Sequence, residues 1–229
     1  MIISEKEKGR LRSCPLFQNL SESELAGALS FFQAEKTEFR KGEYIKKPGT
    51  DDVLPFFGFV LSGAVQVYTY DREGNRMVMA SVGPGNTFGE SLCYLKKKSP
   101  VCIQAGCDSV ILTLRCGGLY ETGMPKEAGA DPKLRKKLAD AFTSMICERT
   151  LSMNRRIQVL SKLSLREKVI TFLSENPLSA SGRPFAISMN REDMAAYLGV
   201  NRTALSRELS LLKKEGLIDF HKNTFRFLR

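Results

Sequence analysis

Residues 190–216 read NREDMAAYLGVNRTALSRELSLLKKEG and predict two short helices joined by a tight turn. Asn190 is placed to cap the first helix and Asn201 the second, because an Asn side chain accepts hydrogen bonds from the free amides of a helix N-terminus. Gly199 lets the chain turn sharply between them. Three leucines of the second helix recur at helical spacing and are expected to face a core: Leu205, Leu209 and Leu212.

The opposite side of the second predicted helix is polar and basic. Its members are Asn201, Arg202, Thr203, Ser206 and Arg207. Short polar and guanidinium side chains at the start of a second helix suit the base edges in a DNA major groove. The pattern therefore predicts a helix-turn-helix that binds double-stranded DNA, and a purely structural pair of helices is the alternative.

A β-hairpin is predicted directly after this helix pair. Residues 217–220 (LIDF) read as a strand, residues 221–224 as a polar turn and residues 225–228 as a return strand. A helix-turn-helix followed by a hairpin is a winged helix. Lys222 or Arg226 is then placed to reach a DNA phosphate from the wing.

The positive charge of the chain is concentrated in its second half. The 229 residues carry a net charge of +10, yet residues 1–130 hold 16 Lys and Arg against 15 Asp and Glu, whereas residues 160–229 hold 12 against 7. Such an excess favours binding to DNA phosphates, and a solubilising surface is the alternative. No apolar run approaches ~18 residues, and the charged N-terminus lacks a signal region, so we expect a cytoplasmic protein without a membrane span.

The six cysteines are scattered and form no C-x-x-C pair: Cys14, Cys93, Cys102, Cys107, Cys116 and Cys147. We expect them to be reduced in a cytosolic chain, and a redox-sensing pair is the alternative. His221, the only histidine, lies in the predicted wing turn, so histidine-based metal, haem or Ser/His chemistry lacks residues elsewhere. We therefore expect no enzymatic activity and no bound metal or cofactor.

The first half of the chain predicts β structure after a short helix within residues 13–32, which Ser21 caps with Glu24. From residue 37 to about residue 119, short apolar runs are separated by turn signals such as Lys41-Gly42, Pro48-Gly49 and Gly83-Pro84-Gly85. Many short strands at this spacing indicate an antiparallel barrel or jelly roll. Residues 117–132, interrupted by Gly and Pro, predict a short helix and a loop.

A single long helix is predicted over residues 132–160. Its apolar stripe contains Leu134, Leu138, Phe142, Met145, Met153 and Ile157. Such a stripe is typical of a coiled coil between two copies of a chain, although Arg149 interrupts it and packing on its own barrel is the alternative. Beyond it, Ser164 is expected to cap a helix over residues 165–173, and residues 185–189 read as a strand.

These elements define an α+β chain in three parts. Residues 1–131 form an N-terminal antiparallel jelly-roll or barrel domain, residues 132–160 a dimerisation helix, and residues 161–229 a winged helix-turn-helix domain. In this order the chain resembles the CRP/FNR family of bacterial transcription regulators. The matching segments are Pro15-Leu16-Phe17, Lys41-Gly42-Glu43, residues 60–65 (VLSGAV), residues 83–90 (GPGNTFGE), the long helix, Arg202 and Ser206-Arg207.

The resemblance implies a cyclic-nucleotide-binding-type domain whose effector shifts the DNA-binding domains of a homodimer on a palindromic operator. RNA polymerase is implied as a further partner. The family's recognition-helix positions fall on Arg202, Thr203, Ser206 and Arg207. Thr203 stands where the family often has Glu, and Thr cannot accept a hydrogen bond from cytosine N4 in the same way.

The resemblance also places an effector site at Phe88, Gly89, Glu90 and Ser99, with Ser152 and Met153 on the long helix. Members that bind cyclic AMP grip its phosphate with an Arg-Ser or Arg-Thr pair where this chain has Ser99-Pro100. Ser99 brings no charge and Pro100 no donor, and the lysines at 96–98 read as a solvated face. We expect an unidentified small-molecule effector other than cyclic AMP, either apolar or carboxylate-bearing.

Two further comparisons limit the effector. The family's oxygen sensors carry clustered N-terminal cysteines, of which this chain has only Cys14, and its haem-based sensors use a histidine that this barrel lacks. An alternative function is a regulatory module that binds an effector and acts on a protein partner instead of DNA. That alternative leaves Arg202, Arg207 and the basic second half unexplained.

Overall fold

The computed structural model describes residues 2–47, 52–119 and 131–228. The chain divides into two compact units, Met1–Ile146 and Cys147–Arg229, and the boundary falls inside the predicted long helix. The turn predicted at Pro48-Gly49 and most of the loop predicted at 117–132 lie outside the described residues.

Two helices open the first unit, α1 (Glu5–Arg12) and α2 (Glu22–Phe31). Each begins with a capping box, and in α2 this is the predicted pair of Ser21 and Glu24. The helix is shorter than the predicted range 13–32. Helix α1 was not predicted, because its sequence EKEKGRLR is mostly charged and buries Leu11 alone, so it lacks an apolar periodicity.

The described part of the first unit contains two antiparallel four-stranded sheets, which confirm a jelly-roll-like fold without a closed barrel. One sheet has the order β1-β8-β3-β6 and the other β2-β7-β4-β5. The strands are β1 (Glu35–Phe39), β2 (Tyr44–Lys46), β3 (Phe57–Ser62), β4 (Val65–Tyr70), β5 (Arg76–Val82), β6 (Thr87–Phe88), β7 (Cys102–Ala105) and β8 (Ser109–Leu114). Helix α3 (Glu90–Leu95) follows β6 directly.

Strand β3 is buried on both of its faces. Val60 packs with residues of both sheets, such as Ile111 of its own sheet and Ile103 of the other, in one apolar cluster. Its neighbours Phe59 and Leu61 point to a second cluster that also contains residues of α1 and α2. A strand with two buried faces reads as a continuous apolar run, which explains the sequence FFGFVL at residues 56–61.

The long helix α4 (Pro132–Leu160) has the predicted bounds. Four residues of its apolar stripe are buried in the core of the first unit: Leu134, Leu138, Phe142 and Met145. These side chains are at most 8% exposed and are covered by their own domain, which is the alternative that the sequence leaves open. Amphipathic periodicity shows that a helix face must be covered, but not by which surface.

The second part of α4 is different. Leu151, Met153 and Ile157 are 57, 60 and 61% exposed, respectively. Val159 alone among the nearby apolar residues is fully buried, and it packs in the core of the second unit.

The second unit is the predicted winged helix. It contains α5 (Leu165–Ser174), β9 (Phe185–Ala186), α6 (Arg191–Leu198), α7 (Arg202–Lys214), β10 (Ile218–His221) and β11 (Thr224–Phe227). The strands form one sheet in the order β10-β11-β9. Strand β9 has two residues where five were predicted, since only Phe185 and Ala186 pair with β11. No helix in the described ranges is long and apolar enough to cross a membrane.

Candidate functional site

The geometry of the helix-turn-helix is fixed by two asparagine caps and one glycine. The Asn190 side chain accepts hydrogen bonds from the backbone N–H groups of Glu192 and Asp193 at 2.8 and 2.9 Å. The Asn201 side chain accepts one from Ala204 N–H at 2.7 Å. Between the helices Gly199 adopts a left-handed conformation with φ 68°, which side-chain-bearing residues rarely adopt. The predicted caps and turn are thus confirmed.

Helix α7 has one buried and one exposed face. Leu205, Leu209 and Leu212 are at most 1% exposed and pack against α5 and α6. The polar residues Asn201, Arg202, Thr203, Ser206 and Arg207 are all exposed. The packing of the leucines therefore turns the N-terminal part of the opposite face to solvent.

Among the exposed cations of this unit, Arg202, Arg207 and Lys222 have no acidic partner in the described part of the chain. Lys213 differs, since its ammonium lies 2.7 Å from a carboxylate oxygen of Asp219. Unpaired exposed cations retain their full attraction for phosphate oxygens.

The wing is the hairpin of β10 and β11, in which His221 pairs with Thr224. Lys222 stands in its turn with φ 50°, in the left-handed region. Arg191 of α6 holds this turn, because its Nη2 donates to the Lys222 carbonyl oxygen at 2.6 Å. The Arg191 guanidinium also lies 4.8 Å from the ring centre of Phe225. Arg226, the other predicted wing cation, is 3.9 Å from Asp219.

A second arginine attaches α5 to α7. The Arg166 Nε donates to Glu208 at 3.0 Å, and both of its terminal nitrogens bind the carboxylate of Glu215. Sequence reasoning missed Arg166 and Arg191, since each acts on residues at least 31 positions away in the chain. One signal for the role of Arg166 is present in the sequence: the carboxylates at 208 and 215 stand seven residues apart on one side of α7 and suit a shared cation.

The predicted effector segment, Phe88-Gly89-Glu90, joins β6 to α3. Phe88 and Glu90 are 2 and 3% exposed. Gly89 is the N-terminal cap of α3 with φ 80°, and a Cβ there would approach Leu54 Cδ2 to 2.6 Å. The Phe88 ring also occupies the space above Gly58, where a Cβ would overlap it.

Ser99 lies in the same unit and is 8% exposed. Its carbonyl oxygen accepts a hydrogen bond from Lys46 Nζ at 2.7 Å. Lys46 is 7% exposed, which is unusual for lysine, and sequence reasoning did not identify it. The residue pair at 99–100 itself offers no cation and, at Pro100, no backbone donor, so it does not fit a cyclic phosphate.

Ser152 and Met153 belong to the other unit, on the exposed part of α4. The structure therefore places four of the six predicted effector residues in the first unit and two in the second. Within the described ranges, no three His, Cys, Asp or Glu side chains are grouped to share a metal ion.

Comparison with known protein families gives two matches. A cyclic nucleotide-binding domain matches residues 36–121, and a Crp-like helix-turn-helix domain matches residues 163–229. The chain belongs to the CRP/FNR family of transcription regulators. The two matches fall on the two units of the structure, in the family's order.

Relatives of this CRP/FNR regulator cover most of its length. The regulatory protein HlyX of Actinobacillus pleuropneumoniae is 28% identical over 231 residues, which is 95% of this chain and 92% of HlyX. Electron transport regulator A of Shewanella oneidensis is 26% identical over 80% of this chain and 71% of its own. The cyclic AMP receptor protein of Thermus thermophilus is 24% identical over 91% and 89%, respectively.

Solved structures agree with the fold. The structure of a cyclic nucleotide binding protein from Ruegeria pomeroyi has a TM-score of 0.54 at 19% identity, and the match covers 99% of this chain and 95% of that protein. A regulatory protein from Silicibacter pomeroyi has a TM-score of 0.53 at 18% identity, and the match covers 99% of this chain and 95% of that protein. For a CRP/FNR regulator the output is DNA binding by the helix-turn-helix unit, which agrees with the exposed basic face of α7.

Proposed function

We propose that this CRP/FNR regulator reads a palindromic operator by placing the N-terminal part of α7 in the major groove. The observation that carries the proposal is the exposed face of α7, where Arg202 and Arg207 have no acidic partner among the described residues. Each guanidinium is suited to bind O6 and N7 of a guanine with two hydrogen bonds. Thr203 and Ser206 then contact neighbouring base edges, and Asn201 lies at the phosphate backbone beside the helix N-terminus.

The wing supplies a second contact in this proposal. Lys222 is exposed at the hairpin turn, and Arg191 fixes the backbone of that turn through the Lys222 carbonyl. A lysine held there is suited to a phosphate, which positions the domain without reading sequence.

The acting form in this proposal is a homodimer, because a palindromic site presents two identical half-sites to one pair of α7 helices. The contact surface is the exposed apolar part of α4, with Leu151, Met153 and Ile157. The exposure of these three side chains supports their assignment to the dimer contact, whereas the first four residues of the apolar stripe are buried in their own domain. RNA polymerase is the proposed further partner, and the cytoplasm is the proposed compartment because the DNA lies there.

The effector in this proposal is a small molecule other than cyclic AMP. The proposed effector-binding residues are the segment Phe88-Gly89-Glu90 together with Ser99, Ser152 and Met153. Ser99-Pro100 lacks the groups that a cyclic phosphate needs. An apolar or carboxylate-bearing ligand suits a site of this composition better.

DNA selection from a random-sequence pool, followed by fluorescence anisotropy on the selected duplex, tests the proposal. Arg202→Ala and Arg207→Ala should each weaken binding by about 1–3 kcal/mol per lost base contact. Lys222→Ala should weaken binding to all duplexes alike and reduce the salt slope by about 1.

Arg40→Ala provides the matched control, since Arg40 is an exposed arginine of the first unit. It should bind the selected duplex like the parent protein. If Arg202→Ala and Arg207→Ala bound it equally well at the same salt concentration, the assignment of α7 as the reading helix would be wrong.

A further inference from the structure

Helix α3 and the end of β8 bring two of the six cysteines together. Cys93 lies in α3 and Cys116 two residues after β8, and they are 5 and 9% exposed. Their thiols form a hydrogen bond with each other. A disulfide between them requires the two sulfur atoms to approach to an S–S bond length of about 2.05 Å.

Both cysteines line a cavity of about 650 Å³ in the first unit. Its wall includes the exposed residues Tyr94 and Leu95, so the cavity reaches the surface and admits a small reagent. Lys96 and Arg115 also line it, and the charge of Lys96 acts on the Cys93 thiol. Cationic surroundings of this kind favour a thiolate over a thiol.

The two thiols have different acidities. The hydrogen bond from Cys116 lowers the pKa of Cys93 and outweighs burial and the Glu90 carboxylate, which raise it; the charge of Lys96 adds a smaller lowering. The same hydrogen bond, together with burial, raises the pKa of Cys116. This difference favours Cys93 as the nucleophile of the pair and Cys116 as the thiol that resolves a product on Cys93.

We propose that Cys93 and Cys116 are a dithiol site that a peroxide converts reversibly into an intramolecular disulfide. The hydrogen-bonded thiols, the shared cavity and its cationic wall carry the proposal. It does not depend on DNA binding, so it stands or falls separately from the proposed function.

The reaction has two balanced steps. The Cys93 thiolate attacks one peroxide oxygen, the O–O bond breaks, and the hydroxide that leaves takes up a proton as water. Cys93 is then a sulfenic acid. The Cys116 sulfur attacks the Cys93 sulfur, the S–O bond breaks, and the Cys116 proton leaves with the hydroxide as a second water. The two thiols supply the two electrons that reduce the peroxide.

The position of the site gives the disulfide a structural consequence. Helix α3 begins at Glu90, the last residue of the effector segment, and the Tyr94 ring centre lies 6.0 Å from that of Phe142 in α4. A covalent bond from Cys93 to Cys116 would therefore restrain the helix that connects the effector segment with α4.

The test uses the full-length reduced protein and a few equivalents of hydrogen peroxide. After alkylation of the remaining thiols, mass spectrometry should find a peptide that links Cys93 to Cys116 and two fewer alkylated cysteines. Dithiothreitol should restore all six cysteines. No variant is needed for this measurement, so a folding defect cannot hide the answer.

Two variants define the roles of the cysteines. Cys116→Ala should stop the reaction at the Cys93 sulfenic acid, which dimedone traps, and the matched control Cys102→Ala, at a buried cysteine outside this cavity, should keep the Cys93–Cys116 link. Oxidation confined to the exposed Cys107 and Cys147, or a protein that stays fully reduced at these doses, would overturn the proposal.

Discussion

Arg166 and Glu215 form a two-pronged ion pair, in which the two terminal guanidinium nitrogens donate to the two carboxylate oxygens at 2.7 and 2.6 Å. The pair joins the start of α5 to the C-terminal cap of α7. A fork of this kind fixes orientation as well as distance. It therefore restrains the end of the helix whose beginning is proposed to enter the major groove.

Replacing Arg166 should weaken DNA binding without changing sequence preference. Arg166→Ala removes the restraint on α7 but no base contact, so all duplexes should be bound less well by a similar, several-fold factor. Anisotropy on the selected operator and on single-base variants measures this. Lys136→Ala, which breaks the exposed Lys136–Asp140 pair of α4, is the control and should leave binding unchanged. A changed base preference in Arg166→Ala would argue for a direct DNA contact.

Thr203 should determine one base of each half-site. Thr203→Glu introduces a carboxylate that can accept from cytosine N4, so selection should move toward cytosine at one position per half-site. The expected discrimination is about 1–3 kcal/mol. Ser210→Glu adds the same charge to an exposed position two turns further along α7, and it should lower affinity without a new preference. An identical selected sequence for Thr203→Glu and the parent would remove Thr203 from the reading face.

Dimerisation should depend on the exposed apolar part of α4. Ile157→Asp places a charge on a side chain that is 61% exposed in the single chain, so it should disrupt a dimer without disturbing either core. Light scattering after size exclusion should give the mass of two chains for the parent and of one chain for the variant. Asn154→Asp adds a carboxylate to a neighbouring exposed position and should stay dimeric. A parent protein that is monomeric at micromolar concentration would contradict this surface.

The stability of the first unit should depend on the ionisation of Glu7. Hydrogen bonds from Lys36 Nζ, at 2.6 Å, and from Ser4 lower the pKa of Glu7 to about 2. A lowered folded-state pKa means that the ionised carboxylate stabilises the fold above its unfolded value of about 4.5, and that this stabilisation disappears as the pH falls toward 2. Glu7→Gln should therefore be less stable than the parent at pH 6 and nearly equal to it at pH 2.

Urea unfolding between pH 2 and 6 measures this difference. Glu38→Gln removes one negative charge from an exposed position of β1 and is the control. An equal difference between parent and Glu7→Gln at both ends of the pH range would show that ionisation of the Glu7 carboxylate contributes nothing.

The elements with local signals could be predicted from sequence. Capping residues such as Asn190, Asn201 and Ser164, together with leucines at helical spacing, determined the helix-turn-helix because these signals act within a few residues. The strands followed from alternating apolar runs and turn residues. The boundaries of short elements such as β9 were less accurate, since pairing with β11 decides them.

Long-range contacts could not be predicted in the same way. The stripe from Leu134 to Ile157 has one periodicity, yet its first part is covered by the strands and helices of its own unit and its last part is exposed. Periodicity carries no information on the covering surface. Likewise, Lys46 reaches the Ser99 carbonyl across 53 positions of the chain, and Cys93 reaches Cys116 only through the fold.

The contact between Gly58 and Phe88 limits how the proposed effector segment can change over evolutionary time. Because the Phe88 ring fills the space that a Cβ at position 58 would need, the two positions share a single volume. A larger residue at 58 is tolerated only after Phe88 becomes smaller, so the substitutions must come in that order. Homologous chains with a side chain at position 58 should accordingly carry a smaller residue at 88, and the specificity of the segment should diversify in such coupled pairs.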